Sequence, residues 1–151
     1  MLVRTVCKRL VVTVTPQTEV IAAAKLMREK HVGFLVVVEP QTLETYGRPV
    51  GVLTDRDIVV SVVALEVDPK DLTVADLMSR GPAAVEEGES IEQALRTMRR
   101  MGVRRLPVLG ARGMLFGVLA LDDVLDVLAG EIGELSGAVH NERTIEGVLR
   151  P

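Results

Sequence analysis

Apolar positions along this chain switch between two periods, and they do so twice in the same order. Val20, Ala23, Ala24 and Met27 follow the i, i+3, i+4, i+7 spacing of one helix face, and Ile91, Ala94, Leu95 and Met98 repeat it. A short β segment precedes each helix, residues 10–15 in one case and 83–86 in the other. Thr18 and Ser90 stand where an N-cap hydroxyl would accept from the first free helix amides. Gly33 and Gly102 lie near the helix exits. Two apolar runs come next, residues 34–38 and 106–109, nearly continuous as in strands covered on both faces. Residues 49–53 and 114–119 form a second pair of strands. Each series closes with a helix beginning at Asp55 or Asp122.

The correspondence extends to individual residues. Val20, Ala23 and Met27 match Ile91, Ala94 and Met98 at one constant offset, which also aligns the run from His31 with the run from Gly102. Gly51-Val52-Leu53-Thr54-Asp55-Arg56-Asp57 then matches Gly117-Val118-Leu119-Ala120-Leu121-Asp122-Asp123. The intervening loop is longer in the first copy (residues 39–48) and carries Tyr46. A repeat of this length is one supersecondary unit that needs a neighbour to bury its apolar face. The expected fold is therefore α/β (α+β): tandem β-α-β-β-α repeats related by a pseudo-two-fold axis, with a cleft between them. The division expected is residues 5–66 for the first repeat, 67–81 for a linker with a short helix at Val74, Leu77 and Met78, 82–131 for the second repeat, and 132–151 for a polar tail, helical at best.

The closing helices are apolar on more than one stripe: Ile58, Val59, Val60, Val62, Val63, Ala64 and Leu65, then Val124, Leu125, Val127, Leu128 and Ala129. Such helices must be covered on more than one side. A monomer of this size lacks the material to do it, so a homodimer is expected.

Composition narrows the function classes. With 48% hydrophobic and 26% charged residues in 151, the chain suits a packed domain rather than a disordered segment. A net charge of −3 and 2% aromatic residues argue against a nucleic-acid surface or a base-stacking platform. Arg96, Arg99 and Arg100 read as a solvated helix face. The one cysteine, Cys7, excludes an internal disulfide. No apolar run approaches the roughly 20 residues that span a bilayer, and Arg4, Lys8 and Arg9 interrupt the N-terminus, so no membrane partner and a cytoplasmic location are expected. The two histidines, His31 and His140, lie near no nucleophile, and no phosphate-loop pattern occurs. No enzyme, catalytic cofactor or metal site is expected.

The duplicated pattern, with Gly51-Val52-Leu53-Thr54-Asp55-Arg56-Asp57 and Val103-Arg104-Arg105-Leu106-Pro107-Val108, resembles the CBS-domain pair, or Bateman module, over roughly residues 5–131. Leu77-Met78-Ser79 with Val85 and Ile91 fits the same pattern. The resemblance implies a stand-alone regulatory module that binds an adenosine-containing ligand between the repeats. AMP is foremost, with ADP, ATP or NAD(H) as alternatives; an S-adenosylmethionine sensor and a purely structural dimerisation module are the competing readings. An unidentified effector protein is compatible with it. Chemistry suits the motif. A strand passing into a helix start offers free amides to a phosphate. The Thr54 hydroxyl can donate to phosphate, Asp57 can accept from ribose hydroxyls, and Gly51 would let the backbone come close. Thr54 capping the helix, with Asp57 favouring its first turn, is the alternative explanation.

By the resemblance, a motif of one repeat works with the early segment and middle strand of the other. The expected ligand site joins Gly51, Val52, Thr54, Arg56 and Asp57 to Ser79, Ala83, Val103 and Arg104. Strand alternation favours Arg104 over Arg105 as the cleft residue. A second, weaker site would hold Lys8, Val12, Val32, Gly33, Val118 and Asp123, with Ala120 in place of threonine and Asp122 in place of arginine. There Asp122 is expected to repel phosphate, with Lys8 compensating in part.

Overall fold

The computed structural model describes residues 1–40 and 47–149. Tyr46 and most of its loop lie outside the described residues. In chain order the elements are α1 (Val3–Val6), β1 (Thr13–Val14), α2 (Val20–Lys30), β2 (Phe34–Val38), β3 (Pro49–Thr54), α3 (Asp55–Ile58) running into a π-helical turn (Val59–Val63), α4 (Val74–Leu77), β4 (Ser79–Arg80), β5 (Val85–Glu86), α5 (Ile91–Met101), β6 (Arg105–Leu109), β7 (Leu115–Ala120) and α6 (Leu121–Leu149).

The apolar stripes do what their spacing demands. Val20, Ala23 and Met27 of α2 and Ile91, Ala94 and Met98 of α5 are buried, each set against its own sheet. In the first sheet β1 runs parallel to β2, β2 antiparallel to β3, and β3 antiparallel to β4. The second sheet repeats this with β5, β6 and β7, and a bridge between Lys8 and Val118 takes the place of β4. The ladders even slip at corresponding points, between Val37 and Val38 and between Val108 and Leu109. The early β segments are shorter than expected: only Thr13–Val14 and Val85–Glu86 pair, and Leu10 is 92% exposed.

The lead segments cross over between the repeats. Val3 is fully buried among Val85, Ile91, Ala94, Leu106 and Val124, so α1 completes the core of the second repeat. Val74 of α4 and Met78 just after it are buried with Val14, Ala23, Leu35 and Leu53 in the first. The backbone makes the same exchange. Val20 donates to the Leu72 carbonyl (3.0 Å) and Ile91 to the Met1 carbonyl (3.0 Å), each satisfying a free amide at a helix start. Arg9 stacks 3.5 Å over the Phe116 ring and donates through Nε to the Phe116 carbonyl, pinning the N-terminal segment to β7. The stretch expected as a linker at 67–81 thus supplies a helix and a strand to the first repeat. A third apolar cluster, Val36, Val38 and Leu115 with Phe34 and Val118 against it, joins the two sheets.

One cap expectation needs correction and the other holds. Thr18 is not the cap of α2: its hydroxyl accepts from the Thr15 amide and closes the turn, while Glu19 holds the cap position without a side-chain bond. Ser90 does cap α5, in a reciprocal box with Gln93. The segment expected as a polar tail, helical at best, is helical over its described residues, 132–149, and continues α6 without a break. Beyond Val127 every residue of that helix is exposed, including Ile132, Leu135 and Val139.

The crossover has a measurable consequence. Residues so near a terminus usually contribute little to stability. Here Val3→Ala is expected to cost about 2 kcal/mol in urea denaturation, from lost burial plus a residual cavity. Leu10→Ala, at an exposed position, is expected to stay within about 0.5 kcal/mol. Equal effects for the two variants would contradict the packing of α1 on the second repeat.

Candidate functional site

The strand-to-helix junction at Thr54 is built by two reciprocal hydrogen bonds. The Asp57 amide donates to Thr54 Oγ1 (3.1 Å), and the Thr54 amide donates to Asp57 Oδ2 (2.8 Å). This box satisfies two donors that a helix start otherwise leaves free. So Thr54 does cap the helix. The capping also fixes both side chains on the cleft wall and leaves Asp57 Oδ1 and the Thr54 hydroxyl proton unused by the box.

A cleft of about 730 Å³ opens at this junction. Its wall gathers Val52, Thr54, Arg56 and Asp57 of the first repeat with Ser79 and Ala83 of the crossing segment and Val103 and Arg104 of the second repeat. Arg80 and Arg105 add two further cations. The volume falls within the roughly 300–1,000 Å³ usual for small-molecule sites. No polar side chain among the described residues is fully buried, so the polar groups of the wall remain open to solvent.

Gly51 is not part of this wall. It is buried beneath β4, where a Cβ would come within 2.8 Å of Met78 Sδ and 2.9 Å of the Ser79 carbonyl. It allows the crossing strand to lie close on β3. Gly117 does the same in the second repeat, against the Lys8 carbonyl at 2.6 Å. The close approach expected of this glycine is real, but its neighbour is the protein's own backbone.

The pseudo-symmetric counterpart is a smaller cleft of about 280 Å³, lined by Lys8, Val12, Val32, Gly33, Val118 and Asp123, with Ala120 and Asp122. Ala120 has no hydroxyl, so no capping box forms at the start of α6. Asp123 is instead tied to Lys8 Nζ at 2.8 Å, its side chain only 17% exposed. Asp122 is not a bare anion: its Oδ1 accepts from Arg104 Nη2 at 2.8 Å. The repulsion expected of it is therefore neutralised as the structure stands.

Other residues were not anticipated. Arg105 and Phe34 line both clefts, although strand alternation had suggested that only one of Arg104 and Arg105 would face inward. The repeat itself held the signal, since Phe34 and Arg105 occupy equivalent positions. His31 also lines the smaller cleft, from the end of α2, where it adopts a left-handed conformation with φ 55°. Its counterpart is Gly102, with φ 66°. Burial raises the Cys7 thiol above its ordinary pKa, against the opposing pull of Arg9. Among the described residues no three His, Cys, Asp or Glu side chains gather as a metal site would require. No helix among them is long and apolar enough to cross a membrane.

Comparison with known proteins places this geometry. An uncharacterized protein of Methanopyrus kandleri is 33% identical over 122 residues, which cover 81% of this chain and 60% of the relative's length. The crystal structure of a hypoxic response protein with two coordinated zinc ions superposes with a TM-score of 0.72 at 30% identity, covering 83% of this chain and 98% of that one. A CBS domain protein from Pyrobaculum aerophilum, complexed with AMP, superposes with a TM-score of 0.72 at 26% identity, covering 82% of this chain and 89% of the other. The family model for the CBS domain matches twice, at residues 3–64 and 74–130, each match taking in one of the crossing helices. With two matches in tandem and the duplicated fold, the chain belongs to the CBS-domain family as a CBS pair.

Proposed function

We propose that this CBS pair is a regulatory module that takes an adenosine nucleotide, AMP foremost, in the larger cleft, and performs no chemistry on it. The observation that carries this reading is the charge layout of that cleft. Of the two carboxylates on its wall, Asp57 is held by the capping box at a fixed place and Asp55 accepts from the Arg56 amide, with the guanidinium groups of Arg56, Arg80, Arg104 and Arg105 around them. A carboxylate accepting from two vicinal hydroxyls beside a group of guanidinium donors is the complement of a ribose phosphate. The smaller cleft offers an anion fewer cations: Lys8, which Asp123 engages, and Arg105, which it shares with the larger cleft. The AMP complex of the Pyrobaculum relative supports the ligand class.

Calorimetric titration with AMP and with adenosine tests this. Asp57→Ala is expected to weaken both ligands about tenfold or more, since the ribose loses a charged acceptor. Arg104→Ala should weaken AMP several-fold and leave adenosine nearly unchanged. Asp123→Ala should leave the tight phase intact. If Asp123→Ala abolishes the tight phase while Asp57→Ala spares it, the ligand belongs to the smaller cleft. If no adenosine compound binds at all, a purely structural role is the better reading.

The module is further proposed to work as a homodimer through its closing helices. Val59, Val63 and Leu65 are 54%, 66% and 68% exposed, and Leu125 and Leu128 of α6 are 54% and 39% exposed. Side chains of this kind on two equivalent helices form a surface that a second copy can cover. Sedimentation at tens of micromolar should give twice the 16.4 kDa chain mass. Val63→Glu should shift it toward monomer, whereas Val62, only 3% exposed, belongs to the protein's own interior. A wild-type monomer, or a Val63→Glu variant that stays fully dimeric, would count against this interface.

A further inference from the structure

Resting on the nucleotide reading above, we infer that Asp122 competes with a bound phosphate for Arg104. The acidic start of α6 thereby sets how tightly the larger cleft holds an anion. The two residues belong to different clefts. Arg104 stands on the wall that carries Thr54 and Asp57, whereas Asp122 lines the smaller cleft with Lys8 and Asp123. Their ion pair, Arg104 Nη2 to Asp122 Oδ1 at 2.8 Å, bridges the two.

Backbone geometry explains why the pair forms. The Leu121 amide donates to the Arg104 carbonyl at 2.9 Å, which holds residue 104 beside the first turn of α6. The equivalent bond in the first repeat joins the Asp55 amide to the Gly33 carbonyl at 3.0 Å. There the residue before the strand is glycine, and the helix position equivalent to Asp122 is Arg56. The first repeat therefore lacks this competition, and the pair is a property of one half of the molecule.

The pair is also built to open. The two side chains are 72% and 59% exposed, and a single guanidinium nitrogen makes the contact. Exposed pairs of this kind contribute little. A phosphate carries more charge than a carboxylate and can take a guanidinium through two donors, so it wins the contest for Arg104 at modest cost. The Lys8–Asp123 pair differs, because its carboxylate is only 17% exposed and is screened less. When Arg104 turns to a phosphate, Asp122 loses its counter-charge and the smaller cleft becomes more negative. Occupancy of the larger cleft thus disfavours a second anion in the smaller one, and linkage makes the effect reciprocal.

A double-mutant cycle tests the competition. AMP and adenosine are titrated by calorimetry at low ionic strength into the wild type, Asp122→Asn, Arg104→Ala and the double variant. Asp122→Asn is expected to tighten AMP by about two- to fivefold, the size of one exposed pair, with adenosine unchanged. In the Arg104→Ala background the same substitution should bring no gain. An equal gain in that background would overturn the inference, since Asp122 would then act only through its general field. No gain in the wild-type background would overturn it as well, while leaving the nucleotide reading intact. Failure of the nucleotide reading has a different signature, the absence of AMP and adenosine binding to the wild type, and it removes both.

Discussion

Neither repeat closes its own core. Val3 must enter the second repeat and Val74 and Met78 the first, because each sheet with its single amphipathic helix leaves an apolar face uncovered. The crossing segments cover it. A repeat of this length that buries its face only against a neighbour behaves as half of a unit. Covering the face sets everything else. The crossing strand β4 lies on β3 over Gly51, Lys8 lies on β7 over Gly117, and the two sheets meet through Val36, Val38 and Leu115. Ser79 and Ala83, where the crossing segment of α4 and β4 turns back, therefore arrive beside the Thr54 junction.

The same constraint makes the clefts equivalent in backbone and leaves side chains to distinguish them. At the first junction Thr54 and Asp57 complete a capping box, and Arg56 points a cation at the wall. At the second, alanine replaces threonine, and the two carboxylates that follow are each matched by a cation, Asp123 by Lys8 and Asp122 by Arg104. A few substitutions thus distinguish two similar clefts, one with a capping box and a cation at its junction, the other with two carboxylates there that are both paired.

Much of this was legible in the sequence, because the signals were periodic and long. The α2 and α5 stripes and the continuous run at Phe34–Val38 could be read directly, and the constant offset between copies carried the fold. Most expected residues of the larger cleft do line it, while Phe34, Arg80 and Arg105 were missed and Gly51 lies elsewhere. Its small size is a packing requirement against Ser79, and sequence does not reveal which backbone a glycine admits. The crossover was not legible because α1 and α4 span four residues each, too short for any period to show. The extent of α6 was obscured by Gly130, Gly133, Gly137 and Gly147, each costing about 1 kcal/mol in a helix interior. The Arg104–Asp122 pair depends on side-chain direction between exposed residues, which no spacing rule specifies.

The central claim is that an adenosine nucleotide occupies the larger cleft, and amide chemical shifts observe that directly. Titration of the nitrogen-15-labelled protein with AMP should move the amides of Thr54, Arg56, Asp57, Ser79, Ala83, Val103 and Arg104 together, saturating at one midpoint. The amides of Lys8, Val12, Val32 and Val118 should move little at that midpoint. Shifts concentrated on this second group, or shifts that never saturate, would contradict the account.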